Sequence, residues 1–343
     1  MNTVGGLMNR IGSAFVWIIE LTKKYSGLMA LFGFGTGLFS LWQVEQREQF
    51  AQFFAILMVV GWVWLTGEYW LRKGLLKKFG VSLSKDLTSF VTQLLHQETL
   101  FFALPFFLAA TDWDQPQALF TSLLLFCAVV AVIDPLYNKL LTRRRALFLV
   151  YHCFSLFAVL MVVLPLLFFM TTTQSLGLAL SISALLSIPS IRPLLAQPGR
   201  WRLPVLVLLL VTLVTAIWFG RSLIPAPVLR LNDIQISQQL DYEQRLPGSA
   251  FTELTLAQLQ EGVYAYTSVR APRGLKEQIY HEWVHNGESV ERIRLDISGG
   301  REQGYRAWTR KQQFPHHAVG KWKIRVVTDS GQLLGAISFT VTP

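Results

Sequence analysis

The chain has 343 residues, 52% apolar and 15% charged, with a formal net charge of +10. A soluble domain carries about 25% charged residues; here residues 1–223 hold 17 Lys and Arg against 9 Asp and Glu, while residues 224–343 hold 14 against 12. The uneven depletion excludes a single soluble domain and a disordered chain, and because most of the positive charge lies in the apolar part, nucleic acid is not an expected partner.

Residues 1–24 form a cytoplasmic or interfacial amphipathic segment, with Leu7, Ile11, Phe15 and Ile18 on one helical face and Lys23 and Lys24 behind them. A helix crossing the ~30 Å hydrocarbon layer needs about 20 mostly apolar residues. Seven such stretches follow, at 25–42, 50–70, 88–110, 117–137, 146–170, 172–190 and 203–222. They predict an α-helical polytopic bundle of about seven transmembrane helices over residues 25–222, with membrane lipids as its first partner. Gly33 and Gly37 have the small-xxx-small spacing of close helix packing. Lys and Arg accumulate on the cytoplasmic side. With the N-terminus inside, the inner segments collect 15 of them and the outer side only Arg47 and Arg221. The last third of the chain is then expected outside the cytoplasm.

Ionisable groups inside membrane helices are costly and mark candidate functional sites. The third stretch carries Gln93, His96 and Gln97 at i, i+3, i+4 spacing, with Glu98 beside them. Asp134 lies in the fourth stretch, His152 in the fifth and Glu68 near the inner end of the second. Together they form a candidate polar layer, read either as a proton-linked or cation site or as a network that fixes helix packing. HExxH, Walker-type, GxSxG and CxxC patterns are all missing, so no catalytic residue, metal or cofactor is assigned. The two cysteines, Cys127 and Cys153, fall in apolar stretches.

After Pro225 and Pro227 the periodicity changes to short alternating runs. Strands are expected near 228–237, 262–270, 275–285, 289–297, 305–313, 321–328 and 333–342, with a short helix or covering loop over 250–261. Asn286-Gly287 is a hairpin turn, since both positions favour positive φ. Seven short strands over 223–343 suggest an all-β, immunoglobulin-like antiparallel sandwich. Trp283, Trp308 and Trp322 are read as its core. His281, His285, His316 and His317 are the candidate surface residues of this region, the first two too far apart along a strand to share one metal ion.

The stretches Tyr280-His281-Glu282-Trp283-Val284-His285-Asn286-Gly287, Gly320-Lys321-Trp322-Lys323-Ile324 and Gly331-Gln332-Leu333-Leu334-Gly335 resemble a bacterial envelope domain known as domain of unknown function 2914. Phe101-Phe102-Ala103-Leu104-Pro105-Phe106 and Ile133-Asp134-Pro135-Leu136-Tyr137 resemble the multi-pass region joined to it. The resemblance implies a bacterial inner-membrane protein with a periplasmic domain and carries over no catalytic residue. The expected function is a non-enzymatic envelope protein whose periplasmic domain binds a protein, lipid or cell-wall partner. The alternative is a transporter or intramembrane enzyme built on the polar layer.

Overall fold

In the computed structural model of the chain, the described residues are 85–195 and 202–343, apart from 273, 276, 296, 298–303 and 316, with five isolated positions upstream (35, 39, 56, 59 and 60). The 1–24 segment, Glu68, Gly33, Gly37 and most of the first two apolar stretches lie outside the described residues, as does His316.

Helices α1 (Lys85–Ala110), α2 (Ala118–Val132), α3 (Arg145–Phe168), α4 (Thr172–Leu195) and α5 (Arg202–Phe219) stand at the five later apolar stretches. A π-helical turn, Pro135–Leu141, follows α2 at an angle of 98°. The break has a local cause. Asp134-Pro135 cannot continue α2, because proline removes a donor and its ring crowds the preceding turn. Phe169, at φ 52°, ends α3 in the left-handed conformation and turns the chain into α4.

The expectation of a seven-helix membrane bundle followed by an all-β sandwich is corrected here. Among the described residues there are six α-helices, mixed with three sheets, and one helix, Ala146–Phe168, is long and apolar enough to cross a membrane; the bent pair of α2 and the π turn adds at most one more. The physical reasons are legible. At ~1.5 Å per residue, the 15 residues of α2 reach about 22 Å. Helix α1 spends its N-terminal half on Lys85, Asp86, Gln93, His96, Gln97 and Glu98, and α4 is interrupted by serines and threonines throughout.

The β-rich part contains β1 (Arg230–Ser237), β2 (Leu240–Asp241), β3 (Leu246–Pro247), β4 (Glu253–Thr255), α6 (Leu256–Gln260), β5 (Val263–Arg270), β6 (Ile279–His285), β7 (Glu288–Leu295), β8 (Tyr305–Lys311), β9 (Gly320–Thr328) and β10 (Leu333–Thr342). One sheet has the order β1-β5-β8, a second β4-β10-β9-β6-β7, and β2-β3 form a small hairpin. Helix α6 begins with a capping box between Thr255 and Gln258. Two features depart from a purely antiparallel, free-standing sandwich. Strand β4 pairs with β10 in parallel, and the core is shared with the helices.

That core runs without interruption from Phe102, Phe106, Leu124 and Val162 to Leu229, Val269, Ile279, Val326 and Leu334. A second cluster fills the space between the sheets and contains Ile236, Trp283, Trp322, Ile324 and Phe339. Trp283 and Trp322 are therefore core residues. Trp308 is half-buried on the opposite sheet face, where Tyr242 meets it edge-on. Polar contacts reinforce the seam. Lys323 Nζ donates to Gln115 Oε1 at 3.0 Å, Gln332 Nε2 donates to Ile224 O at 3.0 Å, and Arg221 Nε donates to the Ser330 carbonyl.

Candidate functional site

The polar residues of α1 face the π turn and α3. Gln93 Nε2 donates to Asp134 Oδ1 at 2.8 Å and to the Ala131 carbonyl at 3.1 Å, while Asn138 Nδ2 donates to Gln93 Oε1 at 3.2 Å. One helical turn on, Gln97 Nε2 donates to the same Ala131 carbonyl at 2.7 Å. These bonds have a backbone origin. The chain leaves helical geometry after Val132, and the Ala131 carbonyl is taken up by amides of α1 instead.

His96 lies deeper and is fully buried. Its Nδ1 is 2.7 Å from Tyr137 Oη and its Nε2 is 3.1 Å from His152 Nδ1. Phe148 and Tyr151 enclose the imidazole at 5.8 and 5.2 Å between ring centroids. Tyr151 Oη donates to the Cys127 carbonyl at 2.8 Å and so ties α3 to α2. Three elements thus contribute to one cluster: α1 through Gln93, His96 and Gln97, the bend and π turn through Asp134, Tyr137 and Asn138, and α3 through Tyr151 and His152. Asp134 stands exposed at the bend.

Of the expected layer, Gln93, His96, Gln97, Asp134 and His152 are brought together and Glu98 is not. Its Oε1 is enclosed yet has no hydrogen-bond partner among the described residues. One residue past Gln97, it points to a different side of the helix. Sequence reasoning missed Tyr137, Asn138 and Tyr151. The available signal was the pair of tyrosines, whose hydroxyls seek partners when buried, one just after Asp134-Pro135 and one next to His152.

In the β-rich part the histidines do not form a common surface. His281 is fully buried, which corrects its assignment to an exposed face. It points between the sheets, with Thr267 Oγ1 at 3.1 Å from Nε2 and Thr309 Oγ1 at 2.9 Å from Nδ1, and burial pushes its pKa down to about 3. His285 stacks on Trp322 at 4.5 Å and its Nε2 lies 3.1 Å from the Val319 carbonyl. His317 is exposed and apart from both. Among the described residues, no group of three or more His, Cys, Asp or Glu side chains is placed to hold a metal ion.

Comparison with protein families found two matches. The model described as "Family of unknown function (DUF5924)" covers residues 8–265, and "Protein of unknown function (DUF2914)" covers residues 276–341. The second accounts for the C-terminal resemblance read from the sequence. Comparisons with curated proteins and with solved structures gave no match. The first model spans most of the chain, which therefore belongs to that family of unknown function.

Proposed function

We propose that this member of the DUF5924 family is a non-enzymatic protein of the bacterial inner membrane. In this reading the helix Ala146–Phe168 crosses the membrane, the exposed apolar side chains beside it meet lipid, and the β-rich part lies on the periplasmic side. There it binds a protein, lipid or cell-wall partner.

The observation that carries the reading is where large apolar side chains are exposed. Among the described residues, all of them except Tyr242, Leu246, Val290 and Val319 lie before residue 224, and Leu119, Phe126, Val150, Leu208 and Phe219 each expose more than half of their surface. Large exposed apolar surfaces mark interaction with membrane or protein. Charge supports the orientation. Lys139, Arg143, Arg144 and Arg145 gather from the π turn to the first residue of α3, the cytoplasmic signature. The opposite helix ends, at Gln115 and Thr172, are the ones that meet the β-rich part.

A reporter active only in the periplasm tests the placement. Fused after Pro343 it is expected to be active, and fused between Lys139 and Arg145 it is expected to be silent. The reverse pattern overturns the reading.

A further inference from the structure

A cleft of about 210 Å³ lies where the helical part meets the sheets. Ala110 and Asp112, at the end of α1, form one wall; Leu231 and Ile234 of β1 and Gly335 and Ala336 of β10 form the other. Two sources of negative charge converge on it. The C-terminus of a helix carries partial negative charge on carbonyls that lack helical donors, and Ala110 brings that end of the 26-residue α1 to the wall. Asp112 adds a carboxylate. Its Oδ1 accepts the Asp114 N–H at 3.2 Å, whereas Oδ2 lies 3.9 Å from where a Cβ on Gly335 would stand. Among the described residues, Oδ2 has no hydrogen-bond donor or cation on it.

A cation of the chain is held on the same turn, yet apart from this carboxylate. Lys323 Nζ donates to Gln115 Oε1 at 3.0 Å, and the Gln115 N–H donates to the Asp112 carbonyl at 3.2 Å. Lys323 and Asp112 make no ion pair with each other. Arg325, on the same face of β9, is already paired with Glu282. Lys323 stands opposite Ser338, two residues (about 7 Å) along β10 from Ala336 in the cleft wall. A carboxylate and an ammonium fixed to one turn, neither neutralising the other, complement a ligand that carries both charges in the reverse order.

We propose that this cleft binds the phosphoethanolamine headgroup of a membrane lipid, with its ammonium on Asp112 and the α1 C-terminus and its phosphate on Lys323. The proposal rests on the membrane placement above and narrows the partner to an aminophospholipid. Size agrees, since 210 Å³ is about seven water volumes, enough for a headgroup and too little for a folded segment. Place agrees as well. Trp113 follows Asp112 directly and is exposed, and tryptophan gathers at the membrane–water boundary, the level of the headgroups. Leu231 and Ile234 offer apolar contact to the ethanolamine methylenes.

The test is native mass spectrometry of the full chain in dodecyl maltoside, titrated with dioleoyl phosphatidylethanolamine, phosphatidylcholine or phosphatidylglycerol. Phosphatidylethanolamine is expected to bind about tenfold more tightly than the other two. The choline head has no N–H to donate, and the glycerol head has no cation. Asp112→Asn keeps an acceptor for the Asp114 N–H but removes the charge, and should erase the preference. Lys323→Gln should weaken phosphatidylethanolamine binding by about tenfold. Equal binding of the three lipids overturns the site, as does an Asp112→Asn variant that keeps the preference. Should Asp112→Asn fail to fold, Lys323→Gln decides, and undiminished binding overturns the proposal. Glycerophosphoethanolamine, the same head without acyl chains, would overturn the lipid as occupant by binding as tightly. A silent Pro343 reporter would overturn the membrane placement and leave the measurement in detergent unmoved, so the two failures are distinguishable.

Discussion

Glu277 holds the first turn of α4 from 105 residues away: its Oε2 accepts the Thr172 N–H at 2.6 Å and its Oε1 accepts the Thr172 hydroxyl at 3.0 Å. A helix N-terminus leaves backbone donors unsatisfied and favours negative charge. Here the β-rich part supplies the acceptor. Thr172 Oγ1 also lies 3.2 Å from Ser330 Oγ, so the loop before β10 joins the same contact. Glu277→Ala is expected to lower stability by about 1–3 kcal/mol, measured by thermal unfolding of the full chain.

The same carboxyl gives a pH dependence. Burial pushes the Glu277 pKa above its ordinary value of 4.5, further helped by Asp329, while the bonds from Thr172 act the other way. A carboxyl raised in the folded state contributes fully below its unfolded pKa, and its contribution fades as pH rises through the folded value. Relative to wild type, Glu277→Gln should therefore gain stability as the pH is raised from about 4.5. A constant difference across that range would contradict the assignment.

His281 acts in the opposite sense. Its pKa falls from 6.5 to about 3 because the imidazole is buried between Thr267 and Thr309. A histidine held neutral costs stability once the unfolded chain takes up the proton, so its contribution is present above pH 6.5 and lost down to about 3. The expected slope is about 1.4 kcal/mol per pH unit. Urea midpoints measured across this window should lose that slope in His281→Gln.

Gly335 is favoured by proximity and Gly287 by conformation. A Cβ on Gly335 would sit 2.4 Å from Leu231 Cδ2, where β10 crosses β1. Gly335→Ala is expected to cost about 1 kcal/mol, because the crowded atom is a terminal methyl that can turn aside, and Leu231→Ala should recover part of it in the double variant. Around Gly287, at φ +95°, a Cβ meets nothing within 4 Å, so its alanine variant should lose only the backbone term of about 1–2 kcal/mol. A double-variant cycle would separate the two causes: Leu231→Ala rescues Gly335→Ala and leaves Gly287→Ala unchanged.

Local elements were readable because their signals are local. Alternation located the strands from β5 to β10 to within a few residues, and Asn286-Gly287 has the positive φ angles of the hairpin that its sequence announced. Apolar runs located the helices. Length and continuity misled where a single dipeptide decided the outcome. Asp134-Pro135 ends α2 and turns the chain by 98°, so a run that reads as one crossing is two pieces. Long-range facts had no signal at all. Nothing in Glu253–Thr255 announces a parallel partner in β10, and nothing in Glu277 announces the end of α4. Alternation assigns His281 to a face of its strand but does not say which face is covered, and the other sheet covers this one. The three-part cluster was half legible: the α1 stripe shows in the spacing of Gln93, His96 and Gln97, whereas Tyr137 and Tyr151 look like ordinary core aromatics until their hydroxyls are placed.

The sheet β1-β5-β8 has an evolutionary corollary. Strand β1 lies in the segment matched by the first family, β8 in the segment matched by the second, and β5 runs across the end of the first match at residue 265. A chain inheriting only the first segment would have to find a substitute neighbour for β5, and one inheriting only the second would carry β8 with no strand to pair with. Relatives that possess one segment alone must close this sheet by other means, through a replacement strand or a partner protein. Where both occur together, they are expected to be lost, duplicated or exchanged as one unit.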